Sequence, residues 1–132
     1  TGYADEIGVR GGTGANMNIP LPAGTDDHTY KDKLADVCEF LADEMIDFMV
    51  VSLGVDTYEG DPICDFALTT DGLRSCGGLL GTLGMPTVVV QEGGYADDAL
   101  GANVHAWLWG IDDMRKERTR PERNPPLRLE DL

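Results

Sequence analysis

The stretch PTVVVQEGGYADD, residues 86–98, decides how the rest of the chain is read. Val88, Val89 and Val90 are β-branched with no polar residue alternating between them, the pattern of a short strand buried on both faces. Gln91 and Glu92 end the apolar run, and Gly93 and Gly94 then leave bare backbone beside Tyr95. A tyrosine that only packs has no need of that clearance. A phenol that must reach a bound molecule has a use for it.

Working outward, DFMVVSLG at 47–54 is a second uninterrupted apolar run closed by glycine, and VDTYEGDP at 55–62 is a polar turn region after it. Between the two strands, residues 68–84 place Leu73, Cys76, Leu80 and Leu83 on one helical face. The glycines there cost about 0.8–1 kcal/mol each against alanine in a helix, so packing must hold this helix, and close helix–sheet approach accounts for them. Upstream, Asn16 to Leu21 reads as a short extended piece stopped by Pro20 and Pro22. Thr25 or Asp26 then caps a helix whose inward face is Leu34, Val37, Cys38, Leu41 and Met45. Downstream, a helix from about Asp97 to Gly110 turns Leu100, Val104, Trp107 and Leu108 inward.

The order helix, strand, helix, strand, helix predicts an α/β fold: a parallel sheet with helical crossovers. In open α/β sheets ligands sit beyond the carboxyl ends of the strands. Two segments occupy that place, Gly54 to Pro62 and Glu92 to Tyr95. If the strands are neighbours, Asp56 and Tyr95 share one rim.

With 132 residues the chain is one domain at most. Residues 1–111 form the α/β body, and 112–132 are a charged, Pro-rich arm with no apolar period. The formal charge of −14 lies in the body, which holds 18 acidic and four basic residues, whereas the arm has six of each. Clustered cations, which nucleic-acid binding requires, are missing. A cationic ligand would be drawn to such a field, and an acidic surface equally serves solubility. No apolar run approaches the ~20 residues of a membrane span. Residues 1–15 are polar and Gly-rich with no signal peptide pattern, and the chain begins with Thr1 and not Met, so it is expected to be processed or a piece of something longer. Cys38, Cys64 and Cys76 are odd in number and form no C-x-x-C, which suggests reduced core thiols and a cytoplasmic setting.

NMNIPLPAGTDDHTY, VVSLGVDTYEGDP, LTTDG and VVVQEGGYADDALGANVHAWL stand in an order and spacing that resembles the carboxyl-terminal part of the histone deacetylase and acetylpolyamine amidohydrolase superfamily. The E-G-G-Y and P-L-P-x-G wording is closest to its acetylpolyamine amidohydrolase-like branch. The resemblance covers residues 1–111 and implies the C-terminal half of an arginase/deacetylase-like three-layer fold. It implies a zinc ligand at Asp56, a carbonyl-polarising phenol at Tyr95, acetyl-side lining at Gly93 and Gly94, and substrate-channel wall at Pro62 and Ile63. Arginases of this fold carry a second metal-binding aspartate two residues after the first. Tyr58 stands there, which favours one Zn2+ and a deacetylase. The family's Asp-x-His pair and tandem histidines lie further toward the amino terminus, and this chain has only His28 and His105.

Other residues have plainer readings. Asp26-x-His28 sits at a helix start and reads as capping. His105 reads as a packing or surface histidine, Trp107 and Trp109 as core and interface, Cys64 as core, Glu92 as a backbone turn position, and Ile63 equally as packing. Asp61 reads as ordering its turn through side-chain to backbone bonds. The expectation is a fragment of a zinc-dependent deacetylase acting on acetylated polyamines or acetyl-lysine. The alternative is a non-catalytic α/β assembly module. Missing sheet neighbours would leave an apolar strand edge, so a homo-oligomer or a complementary N-terminal half is the expected partner.

Overall fold

A computed structural model describes residues 2–119. Its elements are a short 3-10 turn at Arg10–Gly12, then α1 (Asp27–Asp43), β1 (Met49–Leu53), α2 (Thr70–Thr82), β2 (Thr87–Gln91) and α3 (Leu100–Thr119). The alternation expected from the sequence is present, and β1 and β2 pair in parallel with Met49 opposite Thr87 and Leu53 opposite Gln91. Both strands therefore end at the same edge.

α1 and α2 each start where a short polar side chain takes an orphan N–H group. The Asp26 carboxylate accepts from the Thr29 amide at 2.9 Å and the Thr69 hydroxyl from the Gly72 amide at 3.0 Å. A longer-range bond ties the two starts together: Asp27 accepts from both the amide and the hydroxyl of Thr69, at 2.8 and 2.6 Å. The core gathers Leu53, Val55, Leu68, Leu73, Cys76, Trp107 and Ile111, with Val51 and Val89 packed against it from the strands and Tyr30 and Leu34 from α1.

The reading of Val88–Val90 as a strand buried on both faces is corrected, and the apolar run at 47–54 is likewise covered on one face only. Residues alternate along β1 and β2, and only one face meets the helices. On the other, Val50 is 59 % exposed, Val88 57 % and Val90 45 %. The described residues thus supply the sheet and one helical layer. Parallel sheets otherwise occur with both faces covered. The inward assignments of Met45 and Leu108 are also corrected: α1 ends before Met45, which is fully exposed, and Leu108 points outward. No regular element forms at 16–21.

The last helix runs beyond Gly110 into the segment expected to be an arm. Lys116 and Asp112 pair one turn apart, and the Arg115 guanidinium donates to the Met85 carbonyl and, at 2.6 Å, to the Thr87 hydroxyl, pinning α3 to the start of β2. Residues 120–132 lie outside the described residues.

Within α2, Gly72 makes room for Asp27 at the start of α1, whereas Gly77 and Gly81 serve contact with α3 rather than with the sheet. A Cβ at Gly77 would overlap the Trp107 carbonyl oxygen, one at Gly81 would stand 2.7 Å from that of Ile111, and one at Gly110 would overlap that of Arg74. Gly101 has nothing within 4 Å of such a Cβ. Gly77→Ala is expected to lower unfolding free energy by about 1–3 kcal/mol, whereas Gly101→Ala should raise it by roughly 0.5 kcal/mol. Urea titration of the two variants checks the contrast in sign.

Candidate functional site

The parallel ladder continues past the assigned strands. The Glu92 amide donates to the Leu53 carbonyl at 2.8 Å, and the Val55 amide donates to the Gly93 carbonyl at 2.9 Å. Val55 is fully buried and fixes the chain one residue before Asp56. A Cβ at Gly93 would sit 2.8 Å from Asp56 Cγ, so the missing side chain at 93 makes room for the carboxylate. Gly94 has φ of 139°, and a Cβ there would come 2.7 Å from Val55 Cγ2 and 2.8 Å from Leu100 Cδ1. The two glycines thus let loop 92–95 lie directly against loop 54–56.

After Asp56 the chain turns tightly. The Tyr58 amide donates to the Val55 carbonyl at 3.2 Å and the Asp61 amide to the Tyr58 carbonyl at 2.9 Å. The Glu59 and Leu68 amides bond back across the loop to the Leu68 and Thr57 carbonyls. Asp61 closes the turn: one carboxylate oxygen accepts from the amides of Ile63 at 2.9 Å and Cys64 at 3.3 Å. Its other oxygen accepts from the Tyr95 amide at 2.7 Å. Burial alone would raise its pKa, but N–H groups of Tyr95, Ile63, Cys64 and Ala96 hold it below the ordinary aspartate value. The bond to Tyr95 spans 34 residues, a partnership no local turn pattern announces.

Asp56 and Tyr95 therefore stand on loops that leave one edge of the sheet and are bonded to each other. Asp56 is partly buried and Tyr95 is 49 % exposed. Pro62 and Ile63 project from the same turn, both exposed. Gly93 and Gly94 are partly buried between Asp56, Val55 and Leu100. Glu92 is exposed, and the Gln91 side chain donates to the carbonyls of Glu92 and Gly93.

Cys64, read as core, is only partly buried, and the packing reading of Ile63 does not hold because its side chain is exposed; most of the remaining candidates take their plain roles. Asp26 caps α1, and exposed His28 lies 3.4 Å from Asp32 one turn along. His105 is exposed and meets the Trp109 ring edge-on, with ring centroids 5.3 Å apart. Trp107 is core, whereas Trp109 is half-exposed under the Arg74 guanidinium. Cys38 and Cys76 are buried, and burial pushes the Cys76 thiol up to about 11, which leaves it protonated and unreactive near neutrality. Among the described residues no three His, Cys, Asp or Glu side chains come together as a metal site. Asp56 is a carboxylate, a donor type that zinc accepts, set three residues beyond the end of β1. A zinc site with three protein ligands is thus not completed among the described residues.

Residues 1–111 match the family model described as a histone deacetylase domain. The chain is 40 % identical over 114 residues to an acetylpolyamine amidohydrolase of Burkholderia pseudomallei, covering 86 % of this chain and 33 % of that protein. It is 33 % identical over 100 residues to histone deacetylase 8 of Xenopus laevis, covering 72 % of this chain and 30 % of the relative. The crystal structure of an acetylpolyamine aminohydrolase from Burkholderia pseudomallei superposes with a TM-score of 0.82 at 38 % identity, over 86 % of this chain and 33 % of that one. The chain thus spans about a third of the length of the curated relatives it matches.

Because the Asp61 pKa is lower folded than unfolded, its contribution is present above the unfolded value of about 3.9 and is lost as pH falls through the folded value. Asp61→Asn should therefore destabilise at pH 7, and the gap to wild type should shrink below about pH 3.9. Thermal unfolding of both proteins from about pH 2.5 to about pH 7, on either side of that unfolded value, measures it. A gap that widens on acidification contradicts the assignment.

Proposed function

The chain belongs to the histone deacetylase domain family, and from that premise we propose that it forms the carboxyl-terminal side of a zinc-dependent deacetylase site. The substrate class is an acetylated amine, an acetylpolyamine ahead of acetyl-lysine, and the products are acetate and the free amine. The observation that carries this reading is the convergence at one sheet edge. Asp56 lies over the bare backbone of Gly93, and Tyr95 is bonded to the loop that Asp56 begins.

In this reading Asp56 is one of three ligands to a zinc ion, which when bound polarises the amide carbonyl and activates a water. The chain's own contribution beyond that ligand is Tyr95, whose hydroxyl donates a hydrogen bond to the oxygen on which negative charge develops. Pro62 and Ile63 wall the approach of the substrate, and Gly93 and Gly94 keep the floor free of side chains. The 18 acidic residues of the body favour a substrate with a cationic tail.

The chain alone does not complete this site. The open valine face and the coverage of a third of its relatives favour a complementary amino-terminal part that covers the sheet and brings the other two ligands. A second copy of the chain could cover the same face in a homo-oligomer, but it would bring no Asp-x-His pair beside a strand end.

The test compares the isolated chain with the full-length protein that carries it. The full-length protein should bind one zinc per site and release acetate from an N-acetylated polyamine, and the isolated chain should do neither. In the full-length protein Asp56→Ala should lose the zinc and the turnover. Tyr95→Phe should keep the zinc and lose roughly 10²–10³ in kcat. Unchanged zinc content and turnover in Asp56→Ala would sink the assignment.

A further inference from the structure

We propose that Asp61 is the positioning residue of this site, acting through the main-chain N–H of Tyr95 to fix where the phenol stands relative to Asp56. The inference rests on the reading of Tyr95 as the oxyanion donor. Among the described residues Asp61 is the one buried carboxylate, at 8 % exposure. Ordering a turn needs only one acceptor oxygen, which serine or asparagine supplies as well. That task occupies Oδ1, bonded to Ile63 and Cys64. Oδ2 is turned the other way and holds Tyr95 at 2.7 Å.

The need for such a tether follows from what surrounds Tyr95. Its side chain is half-exposed, so packing does not lock it. The two preceding residues are glycines, the least restrained backbone available, and Gly94 sits at a φ that other residues rarely adopt. Ahead of them, the loop is held to its neighbour by the Val55 amide on the Gly93 carbonyl. The bond to Asp61 is the next fixed point, and it lies at Tyr95 itself. The same carboxylate thus sets two things at once: the turn that presents Pro62 and Ile63, and the backbone of the phenol. Asparagine cannot replace it, because its single acceptor oxygen serves one side while its amide group faces an N–H on the other.

The experiment is a double-mutant cycle in the full-length protein, with an N-acetylated polyamine as substrate and bound zinc measured alongside. Asp61→Asn should lower kcat by up to about 10²-fold, the scale of a small misplacement in an active site, with KM and zinc content nearly unchanged. In a Tyr95→Phe background the same change should have little further effect, because the group it positions is gone. An equal fold-loss in both backgrounds would show general destabilisation and overturn the proposal. So would an Asp61→Asn enzyme with unaltered kcat. If Tyr95→Phe alone leaves kcat unchanged, the reading of the site fails and this proposal with it, a failure visible without any change at 61. Should Asp61→Asn not fold, amide hydrogen exchange of the wild-type protein decides. The Tyr95 amide should exchange at least roughly 100-fold more slowly than an unstructured amide, and exchange at the unstructured rate overturns the proposal.

Discussion

Two parallel strands in register end at the same edge, and everything that follows depends on that pairing. The Leu53–Gln91 register and the bonds just beyond it bring loop 54–56 against loop 92–95. Backbone at that distance leaves no room for side chains on both loops. The sequence meets the constraint with glycine at 93 and 94, and the carboxylate of Asp56 takes the space at 93. The clearance beside Tyr95 is therefore made first for a neighbouring loop. Whatever the phenol reaches is approached from a backbone that the neighbouring loop has already placed.

The same device holds the helical layer together. α2 and α3 approach through Gly77, Gly81 and Gly110, where carbonyl oxygens occupy the positions side chains would take. The loss of helix propensity at these glycines, about 0.8–1 kcal/mol each, is offset by close packing of Leu73, Cys76, Trp107 and Ile111 beneath the sheet. A rigid platform results under one face of β1 and β2. The opposite face carries Val50, Val88 and Val90 into the open, and the chain spans about a third of the length of the relatives it matches.

The order of elements, the parallel pairing and the shared rim were legible in the sequence, because apolar period and turn residues mark them locally. The bare face was not. Three successive valines look the same whether their second face is covered within the chain or by something beyond it, so Val88 and Val90 read as buried. The length of α3 was hidden for a different reason. Residues 112–117 have no apolar period, yet Lys116 with Asp112 and Arg115 on the start of β2 continue the helix by charge and hydrogen bonding. Asp61 was legible as a turn residue, since Ile63 and Cys64 are its near neighbours. Its bond to Tyr95 crosses 34 positions and becomes visible only when the strands are placed side by side. The family resemblance named Asp56 and Tyr95, and the fold supplies the physical reason they stand together.

The central claim is that the carboxylate at 56 and the phenol at 95 face one zinc ion. Diffraction from crystals of the full-length protein, collected on both sides of the zinc absorption edge, tests it most directly. The account predicts an anomalous peak at zinc–oxygen bonding distance, about 2.0–2.2 Å, from the Asp56 carboxylate, with the Tyr95 hydroxyl turned toward the same space. A zinc peak remote from Asp56, or a Tyr95 hydroxyl directed away from it in substrate-bound crystals, would contradict it.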